Sequence, residues 1–172
     1  TAPRTHAFLT NFEGWLKQRA SYRRYQAAQP FWSTWSTGPY TFAPYKVLWK
    51  EMGGSRFCAA YVGSEEIQTF GPKVVIPDHK LYFVPLNSED EAQYLTAILN
   101  ARTISRAISA YAAQLSLGVS VIEYLKIPEF DSRIEAHRQL AGLAARANVN
   151  DGLLTEEEEE ALDRLAVMVV RG

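Results

Sequence analysis

The run Tyr40-Thr-Phe-Ala-Pro-Tyr-Lys-Val-Leu-Trp-Lys50 constrains this chain more than any other stretch. Pro39 and Pro44 break regular structure on either side of Thr41, Phe42 and Ala43, which predicts an irregular loop there. From Tyr45 the residues are aromatic and β-branched, which predicts a strand. A period of two puts Tyr45, Val47 and Trp49 on one face and Lys46, Leu48 and Lys50 on the other. The two lysines then sit about 13 Å apart at ~3.3 Å per residue, on a face read as solvated and basic. That spacing suits separated phosphates of a nucleic-acid backbone. It equally suits an ordinary amphipathic strand.

Charge is ordinary in total and uneven in distribution. The net charge is −1 over 172 residues. Residues 1–60 hold eight basic groups against Glu13 and Glu51, a net of +6, so the remainder carries −7. Much of that acid is the run Glu156 to Glu160. This polarity suits one face for a polyanion and another turned away from it, and it is equally what chance segregation of charge produces. A chain of this length can bury roughly 70% of its unfolded surface in one core. No apolar run approaches the ~18 residues of a membrane span. The single cysteine, Cys58, forbids an internal disulfide, suits a reducing cytoplasm, and reads as a buried strand residue. The opening Thr1-Ala-Pro-Arg has no signal-peptide pattern and no initiator Met, as expected of an excised fragment.

Residues 5–20 read as an amphipathic helix capped by Thr5, with Phe8, Leu9, Phe12, Trp15 and Leu16 as a buried stripe. Arg19 falls at the edge of that stripe, and Tyr22, Arg23, Arg24 and Tyr25 follow. Interleaved basic and aromatic residues suit phosphate contact and base stacking, and they also suit an ordinary surface corner. Phe31 to Trp35 reads as a short strand, and Arg56–Val62, Val74–Ile76 and Leu81–Leu86 as further strands, with turns at Gly53-Gly54 and Pro77-Asp78. Ser88 with Glu91 predicts a capped helix ending in left-handed Asn100. A helix through Ile104, Ala107, Ile108, Tyr111 and Leu115 follows, broken by Gly118, then a strand over Val119–Ile127. Ser132 with Glu135 and Thr155 with Glu158 predict two more helix starts. The last helix places Leu162, Leu165, Ala166, Val169 and Val170 on one face. The expected fold is α+β: a mixed or mostly antiparallel sheet flanked by helices, with a helical C-terminal segment.

No glycine-rich nucleotide turn, Gly-x-Ser-x-Gly elbow or metal spacing of His6, His79 and His137 occurs. Asp78 and Lys80, with Glu65 and Glu66, come nearest to a magnesium-dependent nuclease site, although Asp78 follows Pro77 in a turn. Trp15, Trp35 and Trp49 are expected in the core.

Taken in order, several of these segments resemble the C-terminal specificity domain, or target recognition domain, of TaqI-like adenine-specific DNA methyltransferases of restriction–modification systems. The resemblance runs through Leu16-Lys17-Gln18-Arg19, Tyr22-Arg23-Arg24, Pro30-Phe31-Trp32-Ser33 and the Tyr40-to-Lys50 run. It continues through Val75 to Phe83, Tyr94 to Asn100, and Ile127 to Asp131 with the helix from Ser132. It implies a DNA target recognition domain over 1–130 and a C-terminal helical segment over 131–172 packing on it. It also implies double-stranded DNA as partner, alongside an N-terminal methyltransferase domain that binds S-adenosylmethionine. The catalytic Asn/Asp-Pro-Pro-aromatic motif and the cofactor glycines are absent from this chain, so it is not expected to methylate by itself. Arg19, Arg23, Arg24, Lys46, Lys50 and Arg56 are the expected DNA-backbone contacts. Tyr40, Thr41 and Tyr45 are the expected readers of base edges. The rival expectations are the nuclease and a protein-interaction module built from Ser132 to Gly172.

Overall fold

A computed structural model describes residues 2–51, 57–112 and 124–172. By its internal contacts the chain divides into two units, Thr1–Thr41 and Phe42–Gly172.

The first unit holds helices α1 (Pro3–Thr10) and α2 (Glu13–Gln18) and a π-helical turn over Tyr22–Gln26. The expected single helix is broken at Asn11 and Phe12, and Thr5 lies inside α1 with Ala2 as an N-cap that makes no side-chain bond. Neither helix has a buried residue, so the stripe of Phe8, Phe12 and Trp15 is exposed and not core. What closes the unit is polar. Arg19 Nε donates to the Leu16 carbonyl (2.8 Å), and its Nη2 donates to the Phe31 (3.0 Å) and Ser33 (2.8 Å) carbonyls. The Tyr22 hydroxyl donates to the Gln29 carbonyl at 2.7 Å. Around these bonds Tyr22, Gln26 and Phe31 are buried. The Phe31–Trp35 segment forms turns and not a strand, because its carbonyls are spent on Arg19. A short 3-10 turn, Pro39–Phe42, follows, in keeping with the flanking prolines.

The second unit is α+β. Its main sheet is antiparallel, in the order β2 (Ala59–Val62), β1 (Tyr45–Lys50), β5 (Leu81–Leu86). Val47 faces Tyr61 on one side and Val84 on the other. A separate hairpin pairs β3 (Ser64–Ile67) with β4 (Gly71–Val74), turned by Gly71 at φ 67°. The expected strand at Val74–Ile76 therefore starts earlier and ends at Val74.

Val47, Trp49 and Ala59 pack on α3 (Glu89–Asn100), whose Ala92, Leu95, Ile98 and Leu99 face the core. Ser88 caps α3, accepting from the Glu91 N–H. Ile104 and Ile108 of α4 (Arg102–Ala112), Leu140 and Leu143 of α5 (Glu135–Val149), and Leu162 and Ala166 of α6 (Glu156–Arg171) complete that core. Each large side chain buried there contributes roughly 1.5–3 kcal/mol. The full capping box of Thr155 and Glu158 starts α6, and its glutamates sit where the helix dipole favours them. Helix α5 begins one residue after Ile134, with no side-chain cap, so Ser132 does not start it. The expected turn at Gly53-Gly54 and the Leu115 and Gly118 positions lie outside the described residues. Of the expected strand over Val119–Ile127, Tyr124 and Leu125 are helical.

Asn100 ends α3 with ordinary helical bounds and not in the left-handed conformation. Its side chain has another task. The amide oxygen accepts from the Ala59 N–H (2.8 Å) and the amide nitrogen donates to the Ala59 carbonyl (2.7 Å). Ala59 therefore turns its backbone away from β1, and antiparallel alternation turns Tyr61 the same way. Across β1 the same alternation aims the backbones of Phe83 and Pro85 outward from β5. Pro85 thus sits where a missing N–H breaks no ladder bond.

Candidate nucleic-acid interface

The nine residues expected to contact DNA divide between the two units. Lys46 departs most from expectation. Its side chain is 1% exposed, so the face read as solvated is closed at that point. Lys46 pairs with Pro85 and lies on the face of β1 that also holds Leu48 and its partner Phe83. The ammonium donates to the Ala43 carbonyl at 2.7 Å and lies 6.0 Å from the centre of the Phe83 ring. A carbonyl oxygen and an aromatic face replace water, and burial still pushes the Lys46 pKa down. An ammonium so enclosed cannot reach a phosphate, and Lys46 is removed from the contact set. Lys50, at the end of the strand, is exposed. Trp49 is buried, as expected.

Tyr45 is half-buried and lines a cleft of about 510 Å³ with Pro44, Tyr61, Gly63, Glu65 and Glu89. Two carboxylates at its rim oppose a phosphate there. A second cleft of about 650 Å³ opens beside β2, lined in part by Cys58, Ala59, Thr96 and Asn100. Of the nine, none of the eight described residues lines it. Cys58 is exposed, just ahead of β2, and is not the buried strand residue expected. Arg56 lies outside the described residues.

The nuclease constellation does not converge. Asp78 Oδ1 accepts from the His79 N–H and lies 2.7 Å from His79 Nδ1, bonds that hold its carboxyl below the ordinary carboxylate value. Lys80 instead approaches Glu51 at 3.7 Å. Among the described residues no three His, Cys, Asp or Glu side chains are grouped to hold a metal ion.

In the first unit Thr41 is buried, and its Oγ1 accepts from the Gly38 N–H (3.1 Å) while its own N–H donates to the Gly38 carbonyl (3.0 Å). It shapes the loop and is not presented to a base edge. Tyr40 is exposed in part, with its hydroxyl donating to the Ser36 carbonyl at 2.8 Å. Arg19 is spent on three backbone carbonyls, as described above. Lys17 pairs with Glu13, the unit's one acidic residue, at 2.6 Å.

Arg23 and Arg24 remain, both exposed on the π-helical turn and with no carboxylate of their own unit to pair with. The Arg24 guanidinium lies over the Tyr25 ring, 5.1 Å from its centre. Tyr25 in turn stacks on Trp35, centre to centre 4.1 Å with 19° between the planes. Trp35, like Trp15, is expected in the core and is not there. Trp35 is 50% and Trp15 73% exposed. Nothing in the spacing of residues 31–35 signals that stack, which depends on Arg19 folding the segment back along the π-helical turn.

No helix among the described residues is long and apolar enough to cross a membrane. Comparison of the chain with protein-family models, with curated proteins and with solved structures finds no match to any of them.

Proposed function

We propose that this chain is the DNA sequence-recognition domain of a cytoplasmic N6-adenine DNA methyltransferase of a restriction–modification system. It would bind duplex DNA and position it for a separate catalytic domain carrying S-adenosylmethionine. The observation that carries the reading is the exposed Arg23–Arg24 pair beside the Tyr25–Trp35 stack. That group stands in a unit with five basic residues and one acidic residue. Exposed guanidinium groups without a carboxylate of their own unit are what contact with a phosphate backbone requires. The sequence resemblance adds the class of parent enzyme, and the lack of a catalytic Asn/Asp-Pro-Pro-aromatic motif is consistent with a recognition role. Lys50 is the contact offered by the second unit.

The test is fluorescence anisotropy of a labelled duplex across a salt series. Binding should weaken with a log–log slope of about −0.9 per phosphate contacted. Exchanging Arg23→Glu together with Arg24→Glu should reduce that slope by about 1.8 and leave the unfolding midpoint unchanged. A full chain that binds no duplex at low salt overturns the proposal.

A further inference from the structure

Trp35 stacks on Tyr25 with one face of its indole, and half of the residue is still exposed. The exposed indole of Trp15 is arranged differently, tilted 43° from Phe12 at 6.2 Å, and Trp32 meets His6 edge-on at 4.7 Å. Trp35 is also held in place from both sides. Before it, Arg19 anchors the Ser33 carbonyl. After it, the Tyr40 hydroxyl anchors the Ser36 carbonyl, and Ser36 itself takes a left-handed φ of 58°. Thr37 Oγ1 donates to the Thr34 carbonyl at 3.1 Å. Gly38 lets the loop close, since a Cβ there would come within 2.7 Å of the Tyr40 ring. A large aromatic ring is thus presented to solvent by a loop built to stop it turning away.

We infer that the face of Trp35 away from Tyr25 stacks on an unpaired nucleobase, with Arg23 and Arg24 holding the adjacent phosphates. The inference rests on the DNA-binding reading and goes further. Inside an intact duplex each base face is covered by its neighbours, so a protein ring finds edges and phosphates only. A base outside the stack offers the flat π surface that a fixed indole can cover. The Tyr25 ring and the Arg24 guanidinium behind it extend the pile on the protein side.

The experiment uses the full chain and two labelled duplexes of one sequence, fully paired or with a single bulged 2-aminopurine. Tighter binding of the bulged duplex by at least about five-fold, with quenching of the 2-aminopurine, is expected. Trp35→Ala should abolish both the preference and the quenching, Trp35→Phe should retain part of each, and Trp15→Ala should retain both in full. Equal binding of the two duplexes, or a preference untouched by Trp35→Ala, overturns the inference and leaves duplex recognition standing. Failure to bind either duplex overturns both. Should Trp35→Ala fail to fold by circular dichroism, the graded loss in Trp35→Phe decides.

Discussion

Lys46 Nζ donates to the Ala43 carbonyl across 2.7 Å, and the strand's first lysine is thereby a tie between β1 and the segment leading into it. Replacing it by Glu would bury a carboxylate against a carbonyl oxygen, an arrangement with no compensating donor. Lys46→Glu is expected to lower stability by more than about 3 kcal/mol, whereas Lys50→Glu stays within about 0.5 kcal/mol. Urea denaturation of the two variants checks this.

The same lysine gives a signature in alkali. Burial lowers its pKa in the folded chain below the ordinary 10.5, so between the folded value and 10.5 the unfolded chain binds more protons. Stability therefore rises with pH across that window, and the penalty is complete below it. Lys46→Met should flatten this rise, measured as the urea midpoint at successive alkaline pH values.

His137 predicts the opposite edge of the pH range. The ring is buried against Tyr94, 4.6 Å between centres, and its Nδ1 accepts from the Asp131 N–H at 3.0 Å, which requires the neutral form. Burial pushes its pKa below 6.5, with Asp131 opposing the shift in part. Stability is then intact above 6.5 and falls as pH drops from 6.5 towards the folded value. His137→Gln keeps an acceptor and removes the titration, so its thermal midpoint should vary less over that window. Asp131, held down to about 2 by Arg133, titrates in a lower and separate range.

Arg19→Ala should loosen the first unit, because three carbonyls lose a charged donor, at a cost of about 2–3 kcal/mol. Arg19→Lys should not rescue it, since one ammonium cannot span the planar fork that reaches Leu16, Phe31 and Ser33. Limited proteolysis within residues 31–41 reads the effect directly.

Removing the Asn100 amide leaves both backbone groups of Ala59 without partners. Asn100→Ala is expected to cost about 2–4 kcal/mol, and Asn100→Asp, which sets a carboxylate oxygen against the Ala59 carbonyl, at least as much. Amide exchange at Ala59 should accelerate in both.

Much of the second unit can be read from residues 45–50, 81–86, 88–100 and 155–171. In these, alternation, helical period and capping agree with one another. The errors have distinct causes. Alternation puts Lys46 on a face expected to be solvated, but its ammonium finds the Ala43 carbonyl and lies near the Phe83 ring. Helical spacing of Phe8, Phe12 and Trp15 fixes a shared face, yet says nothing of whether any other element covers it. The Trp35 stack was hidden because it is made by residues ten apart, joined through the carbonyl bonds of Arg19.

The Asn100 amide also has a collective consequence. A border strand with unmatched peptide groups is a template on which a second molecule can zip. Here one border of the three-stranded sheet is plugged at Ala59 by a side chain that mimics a peptide, and the opposite border is blunted by Pro85. A second strand approaching that border at Ala59 must first displace the Asn100 amide from both of its bonds.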